Sequence, residues 1–204
     1  MSRTITRLFD DYSDAKAAVH ELERLGVSHD DISIVANNAH GDHDFGDVND
    51  DGDVSRGATT GAAIGGVAGL LAGLGALAIP GLGPIVAAGW LASTAAGAAI
   101  GGIGGAATGT LVGALKNHGH TDEEANVYSE GVRRGGTLVS ARVPDDLVAS
   151  AEAALNNSRG VDAATRGTEY RRAGWSVFDE NAAPYSAEEV ERERATYRRE
   201  DATL

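Results

Sequence analysis

The 204-residue chain contains no cysteine, four prolines, one methionine and only 5% aromatic residues. Without cysteine there is no disulfide scaffold, no thiolate zinc site and no cysteine nucleophile. With so few aromatic rings, any core has to be built from Ala, Val, Leu and Ile. Positive charge is scarce as well: 17 Lys+Arg against 30 Asp+Glu leave a formal charge of −13. Phosphate-backbone affinity comes from clustered Lys and Arg, so this balance argues against a nucleic-acid partner. The opening residues, MSRTITRLFDDYSDAK, lack the apolar run of a secretory signal.

The charge that is present is unevenly placed. Residues 1–56 hold 5 basic and 13 acidic side chains, residues 116–204 hold 12 and 17, and residues 57–115 hold none. Of those 59 uncharged residues, 17 are Gly and 17 are Ala. A soluble surface helix does not look like this.

The glycines of the uncharged stretch fall at fixed spacing. Gly57, Gly61, Gly65, Gly69 and Gly73 recur every fourth residue, and so do Gly97, Gly101, Gly105, Gly109 and Gly113. On a helix this spacing lines one face with glycine, where a second backbone can approach closely. Each glycine in a helix interior costs about 0.8–1.0 kcal/mol relative to Ala, so tight helix pairing has to offset ten of them. Ala78 to Pro84 (AIPGLGP) reads as the turn between two such helices. The expectation is a glycine-zipper helical hairpin over 57–115. Helices over 58–79 and 85–115 would measure roughly 33 and 46 Å, enough to cross a hydrocarbon core of about 30 Å. Ile64, Val67, Leu70, Leu71, Leu74, Leu77 and Ile79 supply the first arm's apolar side chains. Their insertion energy is only roughly −2 to −4 kcal/mol. The reading is a membrane-inserted hairpin with both termini cytoplasmic, Arg56 and Lys116 being the nearest charges; its alternative is a cytoplasmic soluble homo-oligomer or filament.

The flanks carry ordinary periodicities. Thr4 to Phe9 alternates as a strand, Ser13 is placed to cap a helix over Asp14–Leu25, Gly26 ends it, and Asp31 to Ala36 reads as a second strand. After the uncharged stretch, Thr121 caps a helix through Arg134, and Thr137 to Val143 is a strand. A helix then opens at Pro144-Asp145-Asp146 and runs to Asn157, and Val161 to Arg166 is a final strand. The expected fold class is α+β: a split ferredoxin-like sandwich (βαβ … αβαβ) with helices on one side of a four-stranded antiparallel sheet, interrupted by the glycine-zipper hairpin. The units are 1–36, an acidic linker at 37–56, the hairpin at 57–115, the second half at 116–166 and a C-terminal helical tail at 167–204. In that tail Ser186 and Glu189 form a capping box before a helix polar on every side, with no core face. Trp175, Phe178 and Tyr185 precede it and are expected to dock the tail onto its own sheet or onto a partner.

Two patterns suggest metal ions. Asp47, Asn49 and Asp51 sit at the first, third and fifth positions of an EF-hand-like calcium loop, with Asp53 as a further carboxylate and Gly52 at the turn, but Ala58 stands where the bidentate acid belongs. A closed hairpin could bring His40 and His43 near His118 and His120, a donor set suited to Zn²⁺ or Ni²⁺. A solvated linker and surface histidines are the plainer alternatives, and no cofactor is expected. No catalytic residue is assigned, because nucleophile-elbow, P-loop and HExxH patterns are all missing.

Finally, FDDYSDAKAAVHELERLGVSHDDISIVA, the Gly/Ala insertion and VYSEGVRRGGTLVSARV resemble the bacterial heat-induced general stress protein family over residues 4–166. Tyr128, Gly131, Arg133, Arg134, Gly135 and Gly136 are the most recognisable part. The resemblance implies a stress-associated, non-enzymatic protein. With the zippers, it yields the expectation of a structural protein that assembles with copies of itself, or else a regulatory module binding a metal or small ligand.

Overall fold

The computed structural model describes residues 2–39, 75–79, 81–93 and 111–201. β1 (Ser2–Phe9) leads into α1 (Tyr12–Arg24), a 3-10 turn at His29–Asp31 and β2 (Ile32–Asn37). β3 (Gly75–Ile79) and β4 (Gly83–Ala88) follow, with a helical turn at 90–93. Then come α2 (Leu111–Asn117), α3 (Asp122–Arg133), β5 (Thr137–Pro144), α4 (Val148–Asn157), α5 (Ala163–Arg172) and α6 (Ala187–Asp201). The protein is therefore a mixed α+β fold around one antiparallel sheet, in the order β1-β5-β2-β4-β3.

β5 is an interior strand, flanked by β1 and β2, and its sequence serves both faces. Leu138 points to one side, Val139, Ala141 and Val143 to the other, and all four are fully buried. Its register against β1 runs from Ser2↔Pro144 to Phe9↔Thr137, and against β2 from Ile32↔Ala141 to Ala36↔Thr137. One face packs Ile5, Phe9, Ile32, Ile34 and Val139 under Ala15, Ala18, Val19 and Leu22 of α1 and Ala151 and Leu155 of α4. The opposite face packs Leu8, Val35, Ile85 and Leu138 under α2, α3 and α5, through Leu115, Tyr128, Val132 and Tyr170. Fully burying one such side chain stabilises by about 1.5–3 kcal/mol.

Several sequence expectations are corrected here. Helices do not lie on one side of the sheet: both faces are covered, and the side chains of β2 and most of those of β5 are buried whichever face they point to. The two arms expected over 58–79 and 85–115 are not continuous helices, because 75–79 and 83–88 are strands. Ile85 and Val86 are β-branched, and Gly81 (φ +76) and Gly83 (φ +79) adopt the left-handed backbone that closes a tight strand pair at Ile79↔Gly83. The AIPGLGP turn is real, but it joins strands. This hairpin pairs with β2 through Ile34↔Ala88 to Asn37↔Ile85, so part of the 57–115 unit belongs to the sheet. Among the described residues no helix is long and apolar enough to cross a membrane.

The strand expected over 161–166 reduces to a single bridge, Leu8↔Val161. Asp162 instead caps α5, its Oδ1 accepting the Thr165 N–H at 2.8 Å, and that helix crosses the boundary placed at 166. α1 starts at Tyr12 with Asp11 in the cap position, so Ser13 lies inside the helix. α4 starts at Val148, after a turn closed by the Leu147 N–H to Pro144 carbonyl bond. α6 does have a core face: among its described side chains Val190 is fully buried. Of the ten spaced glycines Gly113 lies in α2; Gly57, Gly61, Gly65, Gly69, Gly73, Gly97, Gly101, Gly105 and Gly109 lie outside the described residues.

Candidate functional site

Side-chain alternation places Thr6 of β1 and Ser140 of β5 opposite each other on the face beneath α3. Their hydroxyls lie 2.7 Å apart. α3 starts from a capping box in which Thr121 Oγ1 accepts the Glu124 N–H and Glu124 Oε2 accepts the Thr121 N–H. That fixed start holds His120, the residue before the cap, over the sheet with Nε2 2.8 Å from Thr6 Oγ1. Glu124 Oε2 lies 3.8 Å from the other ring nitrogen, Nδ1. One turn further along, the Tyr128 hydroxyl donates to the Thr6 carbonyl at 2.8 Å and accepts the Ala163 N–H at 3.2 Å, its ring standing edge-on to His120 at 5.7 Å. The result is a chain from Ser140 through Thr6 and His120 toward Glu124.

Burial sets the charge state of this chain. It holds His120 below the usual imidazole range, with Glu124 opposing the shift and His118 adding to it. It pushes the Tyr128 hydroxyl up to about 12. The imidazole and the phenol are therefore neutral at pH 7. A hydroxyl, an imidazole and a carboxylate in series is the order a nucleophilic site uses, but a nucleophile must come within about 3–3.5 Å of a substrate atom. Thr6 is 3% exposed and Ser140 0%. The chain ties α3 and α5 to β1 and β5.

His118 is engaged beside it. Its ring stacks on Trp90 at 4.2 Å, and the same indole carries the Arg142 guanidinium at 5.5 Å. Arg142 pairs with Asp31 at 3.0 Å, and the Trp90 N–H donates to the Asp31 carbonyl at 3.3 Å. Burial, then Arg142, lower the His118 pKa. Both described histidines of the expected metal set are thus turned to protein partners. Among the described residues no three His, Asp or Glu side chains gather as a metal site. Asp47, Asn49, Asp51, Asp53, His40 and His43 lie outside the described residues.

The other organised feature is the corner where α3 turns into β5. Glu130 is completely buried and accepts Arg133 Nε and Nη2, each at 3.0 Å, and Arg134 Nε at 2.7 Å. The Arg134 guanidinium stacks 4.4 Å over Tyr170 and reaches Glu193 of α6 at 2.8 Å. Burial works against its charge, and Glu130 and Glu193 more than offset that, so its pKa is raised. Arg133 lies 4.9 Å from the Tyr185 ring. Next along the chain, Gly135 (φ +99) is seated under Val190: a Cβ there would lie 2.2 Å from Val190 Cγ1. The Gly135 carbonyl accepts Arg194 Nη2 at 2.7 Å. Of the three tail aromatics, Phe178 is buried in the core, Trp175 stands edge-on to Tyr170 at 5.7 Å, and Tyr185 meets the arginines.

Sequence reasoning missed Thr6, Ser140, Glu130 and Val190. Glu130 carried a signal, standing three and four residues before Arg133 and Arg134 in a helix. Thr6 and Ser140 carried none, because their meeting depends on a strand register 134 residues apart in sequence.

Residues 4–77 match the family model of the heat induced stress protein YflT domain, consistent with the bacterial heat-induced general stress protein resemblance. No curated protein and no solved structure matches the chain.

Proposed function

We propose that this is a non-enzymatic, stress-associated protein that self-assembles through its charge-free, glycine-spaced segment, with the α+β body as the anchor. The observation that carries the reading is the run of 59 uncharged residues with two sets of five glycines at four-residue intervals. A chain of net charge −13 that keeps every charge off one long stretch reserves it for contact away from water. The stress association is supported by the domain match over residues 4–77. Burial of the Thr6 and Ser140 hydroxyls keeps that hydroxyl–imidazole–carboxylate chain from reaching a substrate. The order Val161 bridge, β1, β5, β2 supports a split ferredoxin-like body, with the β3–β4 hairpin added at the β2 edge.

The test is the native mass of the full chain, by light scattering after size exclusion, with and without detergent. The expected result is a discrete oligomer that Gly65→Leu combined with Gly101→Leu converts to monomer while the far-ultraviolet circular dichroism is kept. A wild-type monomer under both conditions, or an unchanged oligomer in the double variant, overturns the reading. An oligomer stable only with detergent assigns the contact to a lipid setting.

A further inference from the structure

The C-terminal segment does more than close the fold. Past Tyr170 it crosses the turn of the β3–β4 hairpin, and two glycines of that turn are shaped around it. A Cβ on Gly81 would lie 2.9 Å from the Glu180 Cα, and one on Gly83 would lie 2.7 Å from the Pro184 Cβ. Phe178 enters the same buried cluster as Ile79, Leu82 and Ile85, which come from the hairpin and its turn. The segment then reaches the corner, where Tyr185, Val190, Glu193 and Arg194 meet Arg133, Gly135 and Arg134. The hairpin is therefore held on one side by β2 and across its turn by residues 178–184.

The two ends of this strap differ in strength. Near Tyr170 it is anchored by buried rings. On α6 the described contacts include the apolar Val190 and charged contacts whose α6 partners are partly exposed, Glu193 at 29% and Arg194 at 15%. Such contacts weaken with salt. The other described side chains of α6 are Ala, Glu, Arg and Thr, so a lifted helix exposes little apolar surface.

We propose that residues 179–194 are a releasable latch on the inserted hairpin, with the buried Phe178 as its fixed end. Docked, α6 seats Val190 on Gly135 and draws residues 179–184 across the β3–β4 turn; lifted, it frees that turn and uncovers the Arg133, Arg134 and Tyr170 surface. In sequence the hairpin is flanked by the charge-free stretches at 57–74 and 94–110, so the latch governs the element from which both depart. The inference concerns the folded body and stands whether or not the protein assembles.

Hydrogen exchange read by mass spectrometry on the full chain tests it, using wild type at about 0.1 and 1 M salt, Val190→Asp and the milder Glu193→Gln. The expected result is faster exchange across 187–194 in each perturbed sample, accompanied by exchange in 82–88 faster by about tenfold, with β1 and β5 unchanged. Faster exchange at 187–194 with no change at 82–88 overturns the latch, since the hairpin would then be held without it. Loss of protection in β1 and β5 together with the hairpin overturns it as well, because the tail would be an inseparable part of the core. Should Val190→Asp fail to fold, Glu193→Gln and the salt series decide: no change at 187–194 in either refutes release through the charged contacts.

Discussion

Leu8 packs directly onto the backbone of Gly131. A Cβ at that glycine would lie 2.3 Å from Leu8 Cδ2 and 3.1 Å from Leu8 Cγ, so rotating a methyl group aside does not make room. Leu8 is 1% exposed and bridges Val161, which leaves the whole side chain nowhere to move. Replacing Gly131 by Ala gains about 1 kcal/mol of helix propensity, while overpacking costs about 1–3 kcal/mol. Gly131→Ala is therefore expected to be net destabilising in urea unfolding. Leu8→Ala, which alone costs about 2–5 kcal/mol, should cost less in the Gly131→Ala background, because the new methyl fills part of its cavity. Additive effects would show that the two residues do not share this space.

Tyr128→Phe separates the ring from its hydroxyl. The ring keeps its packing in the core, but the Ala163 N–H at the start of α5 loses its acceptor in a buried setting. The Thr6 carbonyl keeps a donor, since Arg7 Nη1 also reaches it at 2.9 Å. One buried orphan rather than two predicts a loss of about 1–2 kcal/mol. Exchange in α5 should rise more than exchange in β1.

The same comparison explains how much could be read from the sequence. β1, α1 and β2 were legible because Ile32 and Ile34 alternate and Ala18 and Leu22 share a helix face, all within a few residues of one another. The hairpin was not legible because the runs of four-spaced glycines on either side of it suggest helices that continue through it, and its strand character depends on β2 offering an edge about fifty residues earlier. Pro80, Gly81, Gly83 and Pro84 between Ile79 and Ile85 were the local signal for a strand turn, and the glycine spacing outweighed it. Val190 gave no hint, since one valine in a charged helix gains a core role only where Gly135 leaves a seat. His118 and His120 were expected to meet His40 and His43 at the end of a closed hairpin; their rings lie against Trp90 and Thr6, contacts that no local pattern shows.

Glu130 offers a contrast between buried and exposed ion pairs. Its carboxylate is fully buried and holds two guanidiniums, whereas Glu21 pairs with Arg24 at 2.8 Å on the open surface, with side chains 45% and 74% exposed. Removing one partner of a buried pair leaves an uncompensated charge and costs about 3–5 kcal/mol. Arg134 would retain Glu193 and Tyr170, so Glu130→Ala should fall at the lower end, about 3 kcal/mol. Glu21→Ala should cost under about 0.5 kcal/mol. Equal losses from both in urea unfolding would contradict the burial argument.

His120 and His118 predict how stability depends on pH. Both have folded pKa values below the ordinary 6.5, through burial first; Arg142 adds to this at His118, while at His120 Glu124 partly opposes it, His118 adds to it, and the neighbouring Tyr128 stays neutral. In the unfolded chain each imidazole binds a proton as the pH falls through 6.5, while the folded protein resists until its own lower pKa is reached. The unfolded state then holds more protons, so stability drops as pH falls below about 6.5 and levels off once the folded groups titrate. The slope is at most about 1.4 kcal/mol per pH unit for each histidine. His120→Gln keeps a hydrogen-bonding group toward Thr6 Oγ1 and removes one of the two titrations. Urea midpoints measured between pH 5.5 and 7.5, above the carboxylate range, should fall with acidity in wild type and less steeply in His120→Gln. A wild-type midpoint that rises on acidification would mean that the imidazoles gain rather than lose from being charged in the fold.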